Sequence, residues 1–451
     1  MTRYKDYLIC ILLFIICFFL ILDNTSRNLI NIGLFFLIVI FYFLNYELIS
    51  YLLILTILFV FPQSDRYHLI PVIYHDTSIM ILLAMSLIMI FKKFIKHNVY
   101  NKYWFIFILL IIIQTLRGIY LGHDSYYIKD EVVKYLNYPI GFFFVKSIID
   151  KINLKKFIRL NIYAFLILGL IICLQMFYYY FFVTIGNRVL TRQTNLLLIS
   201  LMTSMALLLF YKKLSFKEKA FLITVSVLYI LSIIIFMQRS LWIAVAISLL
   251  SLSLIFILKS DNKKKSIFVI ITILLIVISV SLLILNRYNL NKNILSKRVE
   301  VIENQDIKEL SVFIRLLSYV EIIKKLEGKW IQGLAIGDEI KTTYLNRSVI
   351  NIVDNSVLII LWKFGLFGIL LFGLIFFHFF KQLFQLIKSD RNDIITIFSI
   401  IITTSIIGQI INGFACVIMI LYHYNFIWAM FIAYADRANE LGKIQFGKQN
   451  T

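Results

Sequence analysis

Long apolar runs separated by short polar clusters set the pattern of this chain. They cover Tyr7–Leu22, Leu29–Leu44, Leu48–Phe61, Ser78–Phe91, Tyr103–Leu116, Leu136–Ile149 and Leu160–Val183. Further runs cover Asn195–Tyr211, Ala220–Met237, Leu241–Leu258, Ile267–Leu285, Asn355–Phe380, Ile394–Asn412 and Ala415–Tyr434. A helix that crosses a bilayer needs about 20 mostly apolar residues. The pattern therefore predicts an all-α, polytopic membrane protein with fourteen transmembrane helices. The third and sixth runs are short and the break at Asn45–Glu47 is slight, which leaves counts of twelve and thirteen open.

Composition agrees with the pattern. Of 451 residues, 61% are hydrophobic and 15% charged, against roughly 45–50% and about 25% in soluble globular proteins. A soluble enzyme, a secreted domain and a disordered scaffold are excluded. No repeat and no Pro- or Gly-rich linker divides the chain, so residues 1–451 are expected to form a single polytopic domain. Arg3 and Lys5 precede the first run without a small-residue cleavage pattern after it, so that run is expected to be the first span.

The formal charge of +21 would suggest nucleic acid in a soluble chain. Here it resolves into sidedness. With a cytoplasmic N-terminus the inside segments hold 25 Lys and Arg and the short outside loops 8, the bias expected of inward-facing loops. Both termini are then cytoplasmic, and no nucleic-acid partner is needed. The segment 287–354 becomes one large outer loop with 11 basic and 9 acidic residues. Within it Phe313, Leu316, Leu317, Val320, Ile323 and Leu326 recur at helical spacing among Arg315, Lys324, Lys325 and Glu327. That spacing predicts an amphipathic helix on the outer membrane face.

Candidate chemistry is sparse. P-loop, dinucleotide, HExxH and GxSxG patterns are absent. The six histidines are scattered without i, i+4 pairing, so no metal and no cofactor is expected. Cys10, Cys17, Cys173 and Cys416 lie in apolar stretches as packing residues. Arginine on the outer side stands out. Ala220–Leu258 is about 58 Å long as helix, twice a bilayer core, and its only charge is the central Arg239. A hairpin turning at Gln238-Arg239-Ser240 would hold a guanidinium at the outer surface, suited either to phosphate or to interface anchoring. Arg188 and Arg192, four apart in the preceding outer loop, could share one helical face or be ordinary loop charges. Arg117 beside Gln114, and Lys363 two turns into the twelfth span, rank lower; charge within a membrane needs a partner or water. Asp354-Asn355-Ser356 stands where the large loop enters the twelfth span. Partial desolvation would fit Asp354 to accept a proton, and Asp is equally suited to cap the helix.

The stretch Asp354-Asn-Ser-Val-Leu-Ile-Ile-Leu-Trp-Lys-Phe-Gly365-Leu-Phe-Gly368 resembles the O-antigen polymerase and O-antigen ligase superfamily, bacterial membrane glycosyltransferases that use lipid-linked sugars. Its polar pair, hydrophobic helix and Gly-x-x-Gly step carry the likeness. Gln238-Arg239-Ser240, the stretch from Arg188 to Asn195, and Arg315 through Tyr319 to Gly333-Leu-Ala-Ile-Gly337 add to it, over roughly Ile185–Leu371. Ligases of the family have a histidine before the asparagine where this chain has Asp354, which favours a polymerase. The resemblance implies a polyprenyl-diphosphate-linked oligosaccharide as substrate, polymerised at the outer leaflet of the inner membrane. It places Asp354 and Asn355 at the reaction and Arg239, Arg188, Arg192 and Arg315 on the diphosphate, and it implies a flippase and a chain-length regulator as helpers. The alternatives are a ligase or protein oligosaccharyltransferase with the same donor, and, from another class, a flippase for the lipid-linked unit. Transporters often use broken helices, for which 3 Pro and 16 Gly offer little material.

Overall fold

The computed structural model describes residues 36–44, 49, 51–55, 81, 84–85, 99–178, 194–235, 239–259, 311–340, 355–388, 394–414 and 422–447. The expected spans Tyr7–Leu22 and Ile267–Leu285 lie outside them. The main helices described are α1 (Val99–Tyr120), α2 (Ser125–Lys151), α3 (Leu154–Tyr178), α4 (Thr194–Phe210), α5 (Phe216–Ile235), α6 (Arg239–Lys259), α7 (Ser311–Leu326), α8 (Ser356–Lys388), α9 (Ile394–Gly413) and α10 (Tyr422–Gly447). Six of them, α1, α2, α3, α6, α8 and α9, are long and apolar enough to cross a membrane. Among the described residues the structure is all-helical, with no β-sheet, and the six apolar helices fit a membrane protein.

Polar residues start these helices by satisfying the free amides of the first turn. Asp124 accepts from the Tyr126 amide at 2.7 Å ahead of α2, and Asn153 from the Lys155 amide at 2.9 Å ahead of α3. Ser215 and Glu218 exchange backbone and side-chain bonds at the start of α5, a capping box. The short sixth run is part of a 27-residue helix, α2, because its flanking polar residues Glu131 and Lys134 are buried inside the protein.

Contacts along the helices fix their directions. Asn412 of α9 donates to Asn195 of α4 at 2.8 Å, and Leu198 packs near Gly408, so these two helices run antiparallel. Ala244 and Ser248 of α6 lie against Gly408, and Phe256 meets Phe210 at 5.4 Å, which makes α6 parallel to α4. Gly413 is near Ser356, while Thr396 reaches the Leu386 carbonyl, so α8 and α9 form an antiparallel pair. Helix α2 runs parallel to α10, from Asn425 on the Lys134 carbonyl at 2.6 Å to Lys146 on Asp436 at 2.6 Å. Tyr100 on Gln382, with Phe107 between Phe364 and Phe372, sets α1 antiparallel to α8.

Two chemically different ends result. One gathers Lys155, Lys156, Arg159, Lys212, Lys213, Lys217, Lys219, Lys259 and Lys388. The other gathers the C-terminal ends of α1 and α9 and the first turns of α2, α4, α6, α8 and α10; it is called the Asn355 end below. The span windows of α2 and α9 are 78% and 72% buried and form the centre, whereas that of α1 is 28% buried. Helix α1 turns Phe105, Ile106, Leu109, Ile112, Ile113 and Leu116 outward, and α8 turns out Leu366, Phe367, Leu370, Leu374 and Phe377. Apolar stripes of this length are stable against lipid and costly against water.

Two elements differ from the expectation. The last run, Ala415–Tyr434, was expected to end a span, but α10 continues to Gly447 and carries Asp436, Arg437 and Glu440. Ion pairs to α2 neutralise these charges: Lys146 with Asp436 at 2.6 Å and Glu440 at 3.2 Å, and Arg437 with Asp150 at 2.8 Å. Helix α7 forms where an amphipathic helix was expected, but its apolar stripe is divided. Ile322 and Leu326 are buried, and Val320 and Ile323 remain exposed.

Candidate functional site

Helix α8 is broken. Gly365 has φ 66° and ψ −160° in the middle of it, a backbone conformation that side chains with a Cβ disfavour. The segment that follows α7, residues 328–340, enters the bundle and serves the groups the break leaves free. Leu334 donates its amide to the Trp362 carbonyl at 2.7 Å, and the Leu366 amide donates to the Trp330 carbonyl at 2.9 Å. Close approach explains the glycines: a Cβ on Gly365 would lie 2.3 Å from the Ile331 carbonyl oxygen, and one on Gly333 would lie 2.6 Å from the Gly365 nitrogen. Irregular backbone inside a membrane domain persists only where protein or water satisfies it.

Charge holds the segment in place. Lys363 is fully buried, and its Nζ is 2.7 Å from Oε1 of Glu131, itself 2% exposed. The same Nζ donates to the Asp338 carbonyl at 2.6 Å, while the Gly337 amide donates to Oε2 of Glu131 at 2.9 Å. The Asp338 carboxylate accepts from Trp362 Nε1 at 2.7 Å and pairs with Lys325 at 3.3 Å, with His123 Nε2 at 3.7 Å. On the α1 side, Gln114 donates to the Gln332 carbonyl at 2.7 Å and Arg117 to the Gly333 carbonyl at 2.9 Å. The Lys363 ammonium is enclosed and fully engaged, so this clasp fixes the geometry of the Asn355 end rather than offering an open binding group.

Above the clasp, Asn355 starts α8. Its Oδ1 accepts from the Leu358 amide at 3.0 Å and its carbonyl from the Ile359 amide at 3.1 Å. Asn355 is therefore the cap, the role considered for Asp354. Asp354, Arg188 and Arg192 lie outside the described residues. Arg239 is described as the first residue of α6 and Arg315 as part of α7, both as backbone. Trp242 Nε1 in α6 donates to the Ile233 carbonyl in α5 at 3.0 Å, so the two helices meet near Arg239, which belongs to α6; the rest of the expected turn before it lies outside the described residues. The structure thus brings the first turns of α4, α6 and α8 to one end of the bundle, where helix amides and dipoles favour anions. It also joins Gln114, Arg117 and Lys363, the lower-ranked candidates, through one segment.

Glu131, Asp338, His123 and Trp362 were not among the candidates. One signal pointed at Glu131: a lysine two turns inside a span calls for a partner, of which a carboxylate is one kind, and Glu131 borders the sixth apolar run. Among the described residues, no three His, Cys, Asp or Glu side chains gather as a metal site. No protein-family model matches this chain, and no curated protein matches it.

Proposed function

We propose that this protein is an integral-membrane glycosyltransferase that polymerises polyprenyl-diphosphate-linked oligosaccharide repeat units into a surface polysaccharide. In this reading it has fourteen spans, cytoplasmic termini and an outer segment at 287–354 in the bacterial inner membrane. One observation carries the proposal. The stretches on which the resemblance rests, Arg188 to Asn195, Gln238-Arg239-Ser240 and the one beginning Asp354-Asn355, are far apart in sequence, and the helices α4, α6 and α8 that they lead into all begin at the end opposite the lysine-rich one. That placement suits an anionic lipid-linked donor at the outer leaflet, with the lysine-rich end inside.

The reaction forms a bond from an acceptor sugar hydroxyl oxygen to the anomeric carbon of the growing chain. The bond from that carbon to the lipid diphosphate breaks, and the diphosphate leaves with the electron pair. Asp354 takes the hydroxyl proton and passes it to water. Arg239, with Arg188, Arg192 and Arg315, balances the charge on the leaving group. Asn355 holds the first turn of α8.

A second reading, a flippase for the same unit, is favoured by the break at Gly365, because discontinuous helices are frequent in transporters. The surface-polysaccharide ladder of a deletion strain separates the two. A single added repeat without a ladder is the expected result for a polymerase, and repeat units trapped at the inner leaflet would establish the flippase. Complementation with Asp354→Asn, which keeps any capping capacity but removes the base, is expected to lower the ladder by about 10²–10⁴-fold at normal protein level. A normal ladder would refute the role of Asp354.

A further inference from the structure

Arg117 lies among the outward residues of α1, one turn before the C-terminal Tyr120. Its neighbours Ile113, Leu116 and Tyr120 are 58%, 62% and 90% exposed. Among the described residues, only Nη1 of its guanidinium has hydrogen-bond partners. Nη1 donates to the carbonyls of Gln332 and Gly333 at 3.2 and 2.9 Å, and Gln114 fixes the first of these carbonyls from the buried side. Among the described residues, no acceptor faces Nε or Nη2 and no carboxylate pairs with Arg117. Trp330 and Ile331 are exposed beside the α8 break, and Tyr120 and Tyr126 are exposed at the same end, aromatic residues of the kind that favour a membrane–water interface.

A guanidinium near the end of an apolar helix, oriented by one nitrogen and flanked by exposed apolar side chains, presents the fork that binds two oxygens of one phosphate. We propose that Arg117 holds the phosphate of a glycerophospholipid at the Asn355 end of the bundle, with an acyl chain along Ile113 and Leu116. A single cation matches the single charge of a phosphodiester, and the apolar flanks match acyl chains, which free phosphate lacks. Because the same guanidinium binds the carbonyls of residues 332 and 333, the bound lipid also braces the segment that closes the break in α8.

The test uses the full chain, purified in a neutral detergent and delipidated, with bound lipid counted on the folded protein by native mass spectrometry. Dioleoylphosphatidylglycerol is expected to bind and raise the melting midpoint, and dioleoylglycerol and inorganic phosphate at the same concentration are not. Arg117→Gln is expected to weaken lipid binding about ten-fold or more, and Lys324→Gln, an exposed residue of α7, to leave it unchanged. If Arg117→Gln fails to fold, Arg117→Lys carries the comparison; it keeps a donor for the carbonyls, loses the fork and is expected to bind lipid several-fold more weakly. Equal binding by wild type and the Arg117 variant overturns the proposal. So does a polyprenyl diphosphate that binds more than ten-fold tighter than phosphatidylglycerol, which would give the site to a lipid-linked substrate.

Discussion

Replacing Lys363 by Met leaves Glu131 as an uncompensated buried carboxylate, and the structure sets the size of the effect. The 2.7 Å separation corresponds to about 6 kcal/mol of attraction at an effective dielectric of about 20. That figure is an upper bound, because the surroundings of the carboxylate relax; removing one partner of a buried ion pair costs about 3–5 kcal/mol. Lys363→Met is therefore expected to lose about 4 kcal/mol, and it also loses the bond to the Asp338 carbonyl.

The double variant Glu131→Gln with Lys363→Met buries no charge, and its Gln can still accept the Gly337 amide. It is expected to recover all but about 1 kcal/mol. Denaturant unfolding of the detergent-solubilised protein at pH 7 measures each value. A loss below about 1 kcal/mol, or a double variant no better than the single one, would each refute the reasoning.

Gly365→Ala places a Cβ 2.3 Å from the Ile331 carbonyl at a φ of 66°, and it is expected to cost about 3 kcal/mol or more in the same unfolding assay; Gly373→Ala, with no atom within 4 Å of the new Cβ, is the control and is expected to be neutral or stabilising by up to about 1 kcal/mol. At the opposite end, burial pushes the Glu440 carboxyl up, but the hydrogen bonds and charges of Arg437 and Lys146 outweigh it and hold the group below its ordinary value. Its contribution is therefore present above the ordinary carboxylate pKa and lost as pH falls through the lowered one, so the stability difference between wild type and Glu440→Gln should narrow between pH 5 and pH 3; a constant difference would refute the assignment.

The apolar pattern made most of the helices legible, because a run long enough for a bilayer has few alternatives to helix. Helices α4, α6 and α9 begin and end within two residues of their runs. Their boundaries coincide because their polar flanks meet turns or the ends of the bundle. Where polar flanks are buried instead, the run understates the helix. Helix α2 starts eleven residues before Leu136 because Glu131 and Lys134 find partners inside the protein. Helix α10 outlasts its run because Lys146 meets Asp436. Hydropathy records what each residue would prefer alone, and a pairing between residues far apart in the chain cancels that preference without leaving a mark in either segment.

The same reasoning explains why the site was legible only in part. Lys363 drew notice because a cation two turns inside an apolar run is anomalous on its own. Glu131 sits in the polar flank of a run, where a carboxylate is ordinary, and only the fold shows that it meets Lys363 across 232 positions of sequence. The break at Gly365 was visible as a Gly-x-x-Gly step, yet that step could equally serve close helix packing. What turns it into a break is the insertion of residues 328–340, whose amides and carbonyls replace the helical partners. A local motif can thus mark where a helix is able to break, while the decision lies with a segment some thirty residues earlier. For that reason the residues of the clasp are better guides to the fold of the Asn355 end than to its chemistry, and the chemical assignment rests on the groups that open the helices there.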